Sequence, residues 1–148
     1  HGISTYGVTG AKIRKNDIRL VSYGMWLEAS DNLRVIGNVI VGRFVPQTAR
    51  ARSAAPASLA PSGILAHSGS GSLFKGNHAL HNLIGIDAWS TTTGATITGN
   101  DFTGNTSSDC LDGSVGPANT WTDNLGNSDF PIGLCTDAPI QAVPGSPT

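Results

Sequence analysis

The feature that most constrains this chain is a recurring asparagine, usually preceded by glycine. It falls at Asn16, Asn38, Asn77, Asn100 and Asn124. Asn16 to Asn38 is 22 residues, Asn77 to Asn100 is 23 and Asn100 to Asn124 is 24, while Asn38 to Asn77 is 39, one period plus an insertion of 17. A fixed period in this range marks a solenoid. A second half-motif has its clearest copy at Gly85-Ile86-Asp87-Ala88. It returns as Gly2-Ile3, Gly24-Met25 and Gly63-Ile64-Leu65-Ala66, with a weaker echo at Cys110-Leu111-Asp112.

Periodicity inside the repeat fixes the kind of solenoid. After each glycine apolar and variable residues alternate: Met25, Ile64, Ile86 and Leu111, then Trp26, Leu65, Asp87 and Asp112, then Leu27, Ala66 and Ala88. A period of two is the signature of a strand. A second alternating run precedes the asparagine, with Ile13, Val35, Phe74, Ile97 and Trp121 in register. A third follows it, with Ile18, Ile40, Ala79 and Phe102 in register. Three short strands per turn, with no run at helical spacing, exclude helical repeats. Leucine-rich repeats share the period, but the columns here hold Ile, Val, Phe and Ala where that repeat needs leucines. The fold class is therefore all-β, a parallel β-helix of about five coils.

The Gly-Ile strand openings, the Gly-Asn turns and the period of 22 to 24 resemble the right-handed parallel β-helix repeat proteins, the pectate-lyase-like superfamily, over residues 2–126. The resemblance implies that the turn asparagines stack into an internal ladder, a role that falls on Asn16, Asn38, Asn77, Asn100 and Asn124. Physical chemistry supports it, because Asn tolerates left-handed backbone and satisfies turn groups locally. The architecture hosts lyases, hydrolases, epimerases, tail spikes and adhesins, so it does not choose a function.

With 148 residues, 39% of them hydrophobic, the chain suffices for one domain spanning 1–135. A formal net charge of -1 gives no global attraction for nucleic acid or anionic membrane, and no apolar run reaches the length of a membrane span. The chain opens inside a repeat, so the strand edges of residues 1–8 are expected to be covered by upstream coils, a partner or self-association. Residues 43–61 shift to Ala, Pro, Ser and Arg and read as an inserted loop whose Arg43, Arg50 and Arg52 offer guanidinium groups to a carboxylate-bearing ligand. Residues 109–135 depart from the repeat and read as a C-terminal cap. Cys110 and Cys135, the only cysteines, fit a disulfide there, worth roughly 3.5 kcal/mol by chain entropy. Such a bond suits an extracellular or cell-surface location. Residues 136–148 carry three prolines and read as a flexible tail.

The outward positions of the first strand read as two columns, Ser4, Trp26, Leu65, Asp87 and Asp112 beside Tyr6, Glu28, His67 and Trp89. With coils about 4.8 Å apart they form one strip. Aromatic faces stack on sugars, while carboxylates and imidazole bond hydroxyls or move protons. Tyr6, Trp26 and Trp89, with Arg50 and Arg52, are the candidate substrate contacts; Asp87, Asp112, Glu28 and His67 are the candidate catalytic groups. On this alignment Asp87 and Asp112 stand about 5 Å apart, the separation of a retaining glycosidase pair. The clustered aspartates and Gly-His-Gly of polygalacturonases are absent, and so is the strand-borne base of pectate lyases. His78 and His81 have a His-x-x-His spacing that nothing completes, so neither metal nor cofactor is expected. Thr96 and Thr98 are not repeated in the coils before them, which argues against an ice-binding array. Two functions follow: a secreted domain that binds polysaccharide or cell-surface glycan, acting as a lyase or glycoside hydrolase if the strip is catalytic, or a structural or adhesive module.

Overall fold

The computed structural model describes residues 1–43, 61–115 and 118–136. Within them every regular element is a strand and every strand pairing is parallel. The first sheet has six strands in the order β1 (Ile3–Tyr6), β4 (Met25–Glu28), β7 (Ser62–His67), β11 (Ile84–Ala88), β14 (Ser108–Asp112) and β16 (Asp129–Phe130). A middle sheet joins β2 (Lys12–Arg14), β5 (Arg34–Ile36), β9 (Leu73–Lys75), β13 (Thr96–Thr98) and β15 (Thr120–Thr122). The third joins β3 (Asp17–Val21), β6 (Val39–Gly42) and β10 (His78–Leu80), and continues as single bridges through Asp101, Leu125 and Thr136. Two short strands, β8 (Gly69–Ser70) and β12 (Thr92–Thr93), pair at the corner between the first and middle sheets. The chain is thus the expected right-handed parallel β-helix of about five coils.

Each coil is held at its inner face by stacked apolar columns. Met25, Ile64 and Ile86 stack in the first sheet, Val35, Phe74 and Ile97 in the middle sheet, and Ile40, Ala79 and Phe102 in the third. Side-chain volumes trade off within a coil: Phe74 shares its turn with Ala79, and Ile97 shares the next with Phe102. Such trade-offs let a cross-section of similar size be filled in successive coils. The strand-opening glycines have a steric cause. A Cβ on Gly24 would lie 2.2 Å from Ile40 Cγ2 and 2.4 Å from the Gly63 carbonyl oxygen, so only glycine lets the third sheet meet the first.

The asparagine ladder runs unbroken. Asn16, Asn38, Asn77 and Asn100 each donate, through both the backbone N–H and the side-chain amide, to Oδ1 of the asparagine one coil on, ending at Asn124. The side-chain amides of Asn38, Asn77 and Asn100 also donate to a backbone carbonyl, of Ile13, Val35 and Phe74 respectively, and the Asn124 amide donates to that of Ile97. The residue before each rung has positive φ: 56° at Lys15, 63° at Gly37, 61° at Gly76, 62° at Gly99 and 54° at Asp123. Glycine is preferred there for its backbone alone, since a Cβ on Gly37, Gly76 or Gly99 would touch nothing within 4 Å.

The last coil corrects the alignment read from sequence. Ile86 pairs with Cys110, Asp87 with Leu111 and Ala88 with Asp112, one residue away from the expected register. Cys110, fully buried, therefore occupies the apolar core column, and Asp109 stands at the glycine position. Asp109 is tolerated because it closes a second ladder, at the opposite turn: Asn82 donates to Asn105, and Asn105 donates to Asp109. The other Asp109 oxygen accepts from the Asn127 backbone. The Cys110–Cys135 disulfide forms, and the chain from β16 covers the end of the stack, with Asp129 accepting three backbone N–H bonds from residues 133–135. Burial works to raise the Asp129 carboxyl, but the backbone bonds together outweigh it and hold the group below its ordinary range.

Candidate functional site

The first sheet presents its outer face as two columns, because alternate residues of a strand point to opposite sides. One is Ser4, Trp26, Leu65, Asp87, Leu111 and Phe130; the other is Tyr6, Glu28 and His67. Trp89 follows directly on the strand β11, where its N–H bonds the Ala66 carbonyl, and so continues the second column. Burial along this face is uneven. Tyr6 and Phe130 are 77% and 69% exposed, whereas Leu65 and Asp87 are only 2% and 6% exposed.

The register brings Glu28 and His67 together across the insertion as direct neighbours. Glu28 Oε2 accepts from the Trp26 indole N–H at 3.0 Å, and Glu28 Oε1 lies 3.6 Å from His67 Nδ1. That second separation is too long for a hydrogen bond. His67 Nδ1, itself buried, has no hydrogen-bond partner among the described residues. The imidazole sits between two indoles, edge-to-face, with ring centroids 6.5 Å from Trp26 and 5.3 Å from Trp89. On the other side of Trp26 the His1 ring stacks at 5.2 Å and the Tyr23 ring meets it edge-on at 5.3 Å. Tyr23 ionises above its ordinary range because burial disfavours the phenolate. A run of five rings thus lies along the outer face, with one carboxylate fixed among them. His1 and Tyr23 lie outside the strands, so strand alternation does not reveal their place beside Trp26.

The two aspartates do not face one another. Asp87 is flanked in register by Leu65 and Leu111, among the described residues no donor reaches its carboxylate, and burial pushes its pKa up to about 6. Asp112 belongs to the column of Leu27, Ala66 and Ala88, and its carboxylate binds the cap: it accepts from the Trp121 indole at 2.7 Å, from the Asn119 amide and from the Ser114 backbone. Burial works to raise the Asp112 carboxyl, but the bonds from Ser114, Trp121 and Asn119 together outweigh it and hold the group below its ordinary range. A facing carboxylate pair of the retaining-glycosidase kind is therefore not formed. Arg50 and Arg52 lie outside the described residues.

For metal ligation the described residues offer two pairs, Glu28 with His67 and His78 with Asp101, the latter at 3.5 Å. No three His, Cys, Asp or Glu side chains converge among them. No helix among the described residues is long and apolar enough to cross a membrane.

Set against known proteins, residues 1–129 match one family model, described as the periplasmic copper-binding protein NosD. The comparisons with curated proteins and with solved structures each returned no match. The matched stretch takes in all five coils and the ladders that join them, and the chain belongs to the NosD family of parallel β-helix proteins.

Proposed function

We propose that this chain is an exported β-helix module that binds polysaccharide along the outer face of its first sheet. The observation that carries the reading is the run of rings from His1 through Trp26 and His67 to Trp89, with the Glu28 carboxylate held among them. Indole faces offer stacking area to sugar rings at low entropic cost, and a fixed carboxylate accepts from sugar hydroxyls. Tyr6, beside Glu28 in register and largely exposed, extends the surface toward the first coil. The family's periplasmic description and the Cys110–Cys135 disulfide support an address outside the reducing cytoplasm.

The reading is one of binding, with no bond broken. Asp87, lacking a second carboxylate opposite it, and Asp112, committed to the cap, do not make an acid–base pair at the spacing hydrolysis requires. Copper, which the family's description names, does not fit the described residues. Copper centres draw on three or more ligands, imidazole with thiolate or thioether or, for Cu(II), nitrogen with oxygen, and no three His, Cys, Asp or Glu side chains converge among the described residues. Here both cysteines are joined in a disulfide, the single methionine, Met25, is fully buried in the core, and the histidines meet at most one carboxylate each.

The test is a glycan array probed with the chain and with a Trp26→Ala/Trp89→Ala variant. Retention of the parent on a polysaccharide, with loss of about tenfold or more in the variant, is expected from removal of two stacking surfaces. Equal retention of both proteins would sink the reading.

A further inference from the structure

A second surface lies on a different wall of the coil and plays no part in the strip. Strand register on the outer face of the middle sheet sets two columns: Lys12, Arg34, Leu73, Thr96 and Thr120, and beside them Arg14, Ile36, Lys75, Thr98 and Thr122. Lys12, Arg14, Arg34 and Lys75 are all exposed, and they are four of the nine Lys and Arg in a chain of net charge -1. Neither column contains an acid. Among the described residues the cation paired with a carboxylate is Arg19, with Asp17, so these four stand without an ion-pair partner. Lys12, Arg14 and Arg34 line a shallow open groove together with Ile36.

Like charges directly opposite one another across neighbouring strands repel. Lys12 and Arg34 are such a pair, one coil apart at about 4.8 Å of backbone spacing. The arrangement therefore costs the free chain stability, and an anion laid along the groove relieves that cost. A surface patch of one sign of charge also steers such a ligand toward it.

We propose that this groove binds an acidic polysaccharide, a linear glycan bearing carboxylates, at a site separate from the aromatic strip. Arg14 and Arg34 present forked guanidinium groups that match carboxylates. Lys12 and Lys75 extend the positive charge over three coils, roughly 10 Å along the axis. Further along the same columns the hydroxyls of Thr96, Thr98 and Thr120 can donate to and accept from sugar hydroxyls, while Thr122, which donates to Thr98 Oγ1, can accept. The chemistry of the face favours a glycan over other polyanions. Neither column holds an aromatic side chain, so nucleobases have nothing to stack on. Ile36 and Leu73 are the only large apolar residues in the columns and both are half-buried, so nothing reaches into a bilayer.

The experiment is calorimetric titration of the whole chain with polygalacturonate, with its neutral methyl ester and with oligothymidylate, at low and moderate salt. The expected result is binding of polygalacturonate that weakens with salt and falls about tenfold or more in Arg14→Glu/Arg34→Glu, with little binding of the ester or of the oligonucleotide. Both arginines are exposed and Arg34→Glu faces Lys12 with the opposite charge, so the double variant should melt no lower than the parent. Trp89→Ala should leave this affinity unchanged. Absence of binding, equal affinity in Arg14→Glu/Arg34→Glu, or equal affinity for oligothymidylate would each overturn the proposal. Loss in Trp89→Ala alone would overturn it while leaving the strip reading intact.

Discussion

Two backbone and side-chain environments decide most at the residue scale. Lys15 and Asp123 hold the left-handed conformation that Gly37, Gly76 and Gly99 hold at the matching turns, and a side chain pays for that conformation where glycine does not. Lys15→Gly and Asp123→Gly are each expected to stabilise the fold by about 1 kcal/mol in urea unfolding. No gain in either would show that local contacts of the Lys or Asp side chain offset the strain. Asp87 makes a pH prediction. Its carboxyl is ordinary in the unfolded chain, near 3.8, and raised by burial to about 6 in the fold. The folded protein therefore binds more protons between those values. The stability Asp87 contributes is complete below pH 3.8, declines as pH rises and is gone above about 6. Asp87→Asn should match the parent at pH 4 and exceed it at pH 8 by up to about 3 kcal/mol, seen as a flatter stability profile. Parallel profiles in the two proteins would rule out the raised carboxyl.

Among the elements, the turn ladder carries the largest single dependence. Asn77 accepts from the Asn38 backbone and amide, and donates to Val35 and Asn100, all in the buried interior. Asn77→Ala leaves those donors and a carbonyl unsatisfied, and is expected to cost about 3 kcal/mol or more. Stability within 1 kcal/mol of the parent would mean that water replaces the rung. This ladder was legible in the sequence because five asparagines share one period and four of the five follow a positive-φ position that glycine or lysine fills. The second ladder was not, although Asn82 and Asn105 are 23 residues apart, the same step as Asn77 to Asn100. It has too few matching rungs, since Gly42 and Asp109 stand at its neighbouring positions. The one-residue error in the last coil has a related cause. Matching Asp112 to Asp87 by residue type outweighed the step of 24 from Asn100 to Asn124, which carries Ile86 to Cys110. Cys110 fills the core column there while joined to Cys135 of the cap, and period was the better guide.

The molecule as a whole is a parallel coil with chemically distinct walls, one aromatic and one basic. The strip was legible in part: alternation placed Trp26, Glu28, His67 and Trp89 on one face, and the register across the insertion of 17 residues held. What sequence could not supply was the dry centre at Leu65 and Asp87, nor the approach of His1 and Tyr23 to Trp26, because neither follows from strand periodicity. Of the three tryptophans, two lie on the strip and the third, Trp121, is tied to Asp112 beneath the cap. Indole emission therefore reports the strip directly. The decisive measurement is a tryptophan fluorescence titration of the chain with the oligosaccharide retained on the array. A saturable change in emission that disappears in Trp26→Ala/Trp89→Ala, with Trp121 unaffected, is the predicted result. Binding that leaves the emission of Trp26 and Trp89 unaltered would contradict polysaccharide recognition by the first sheet.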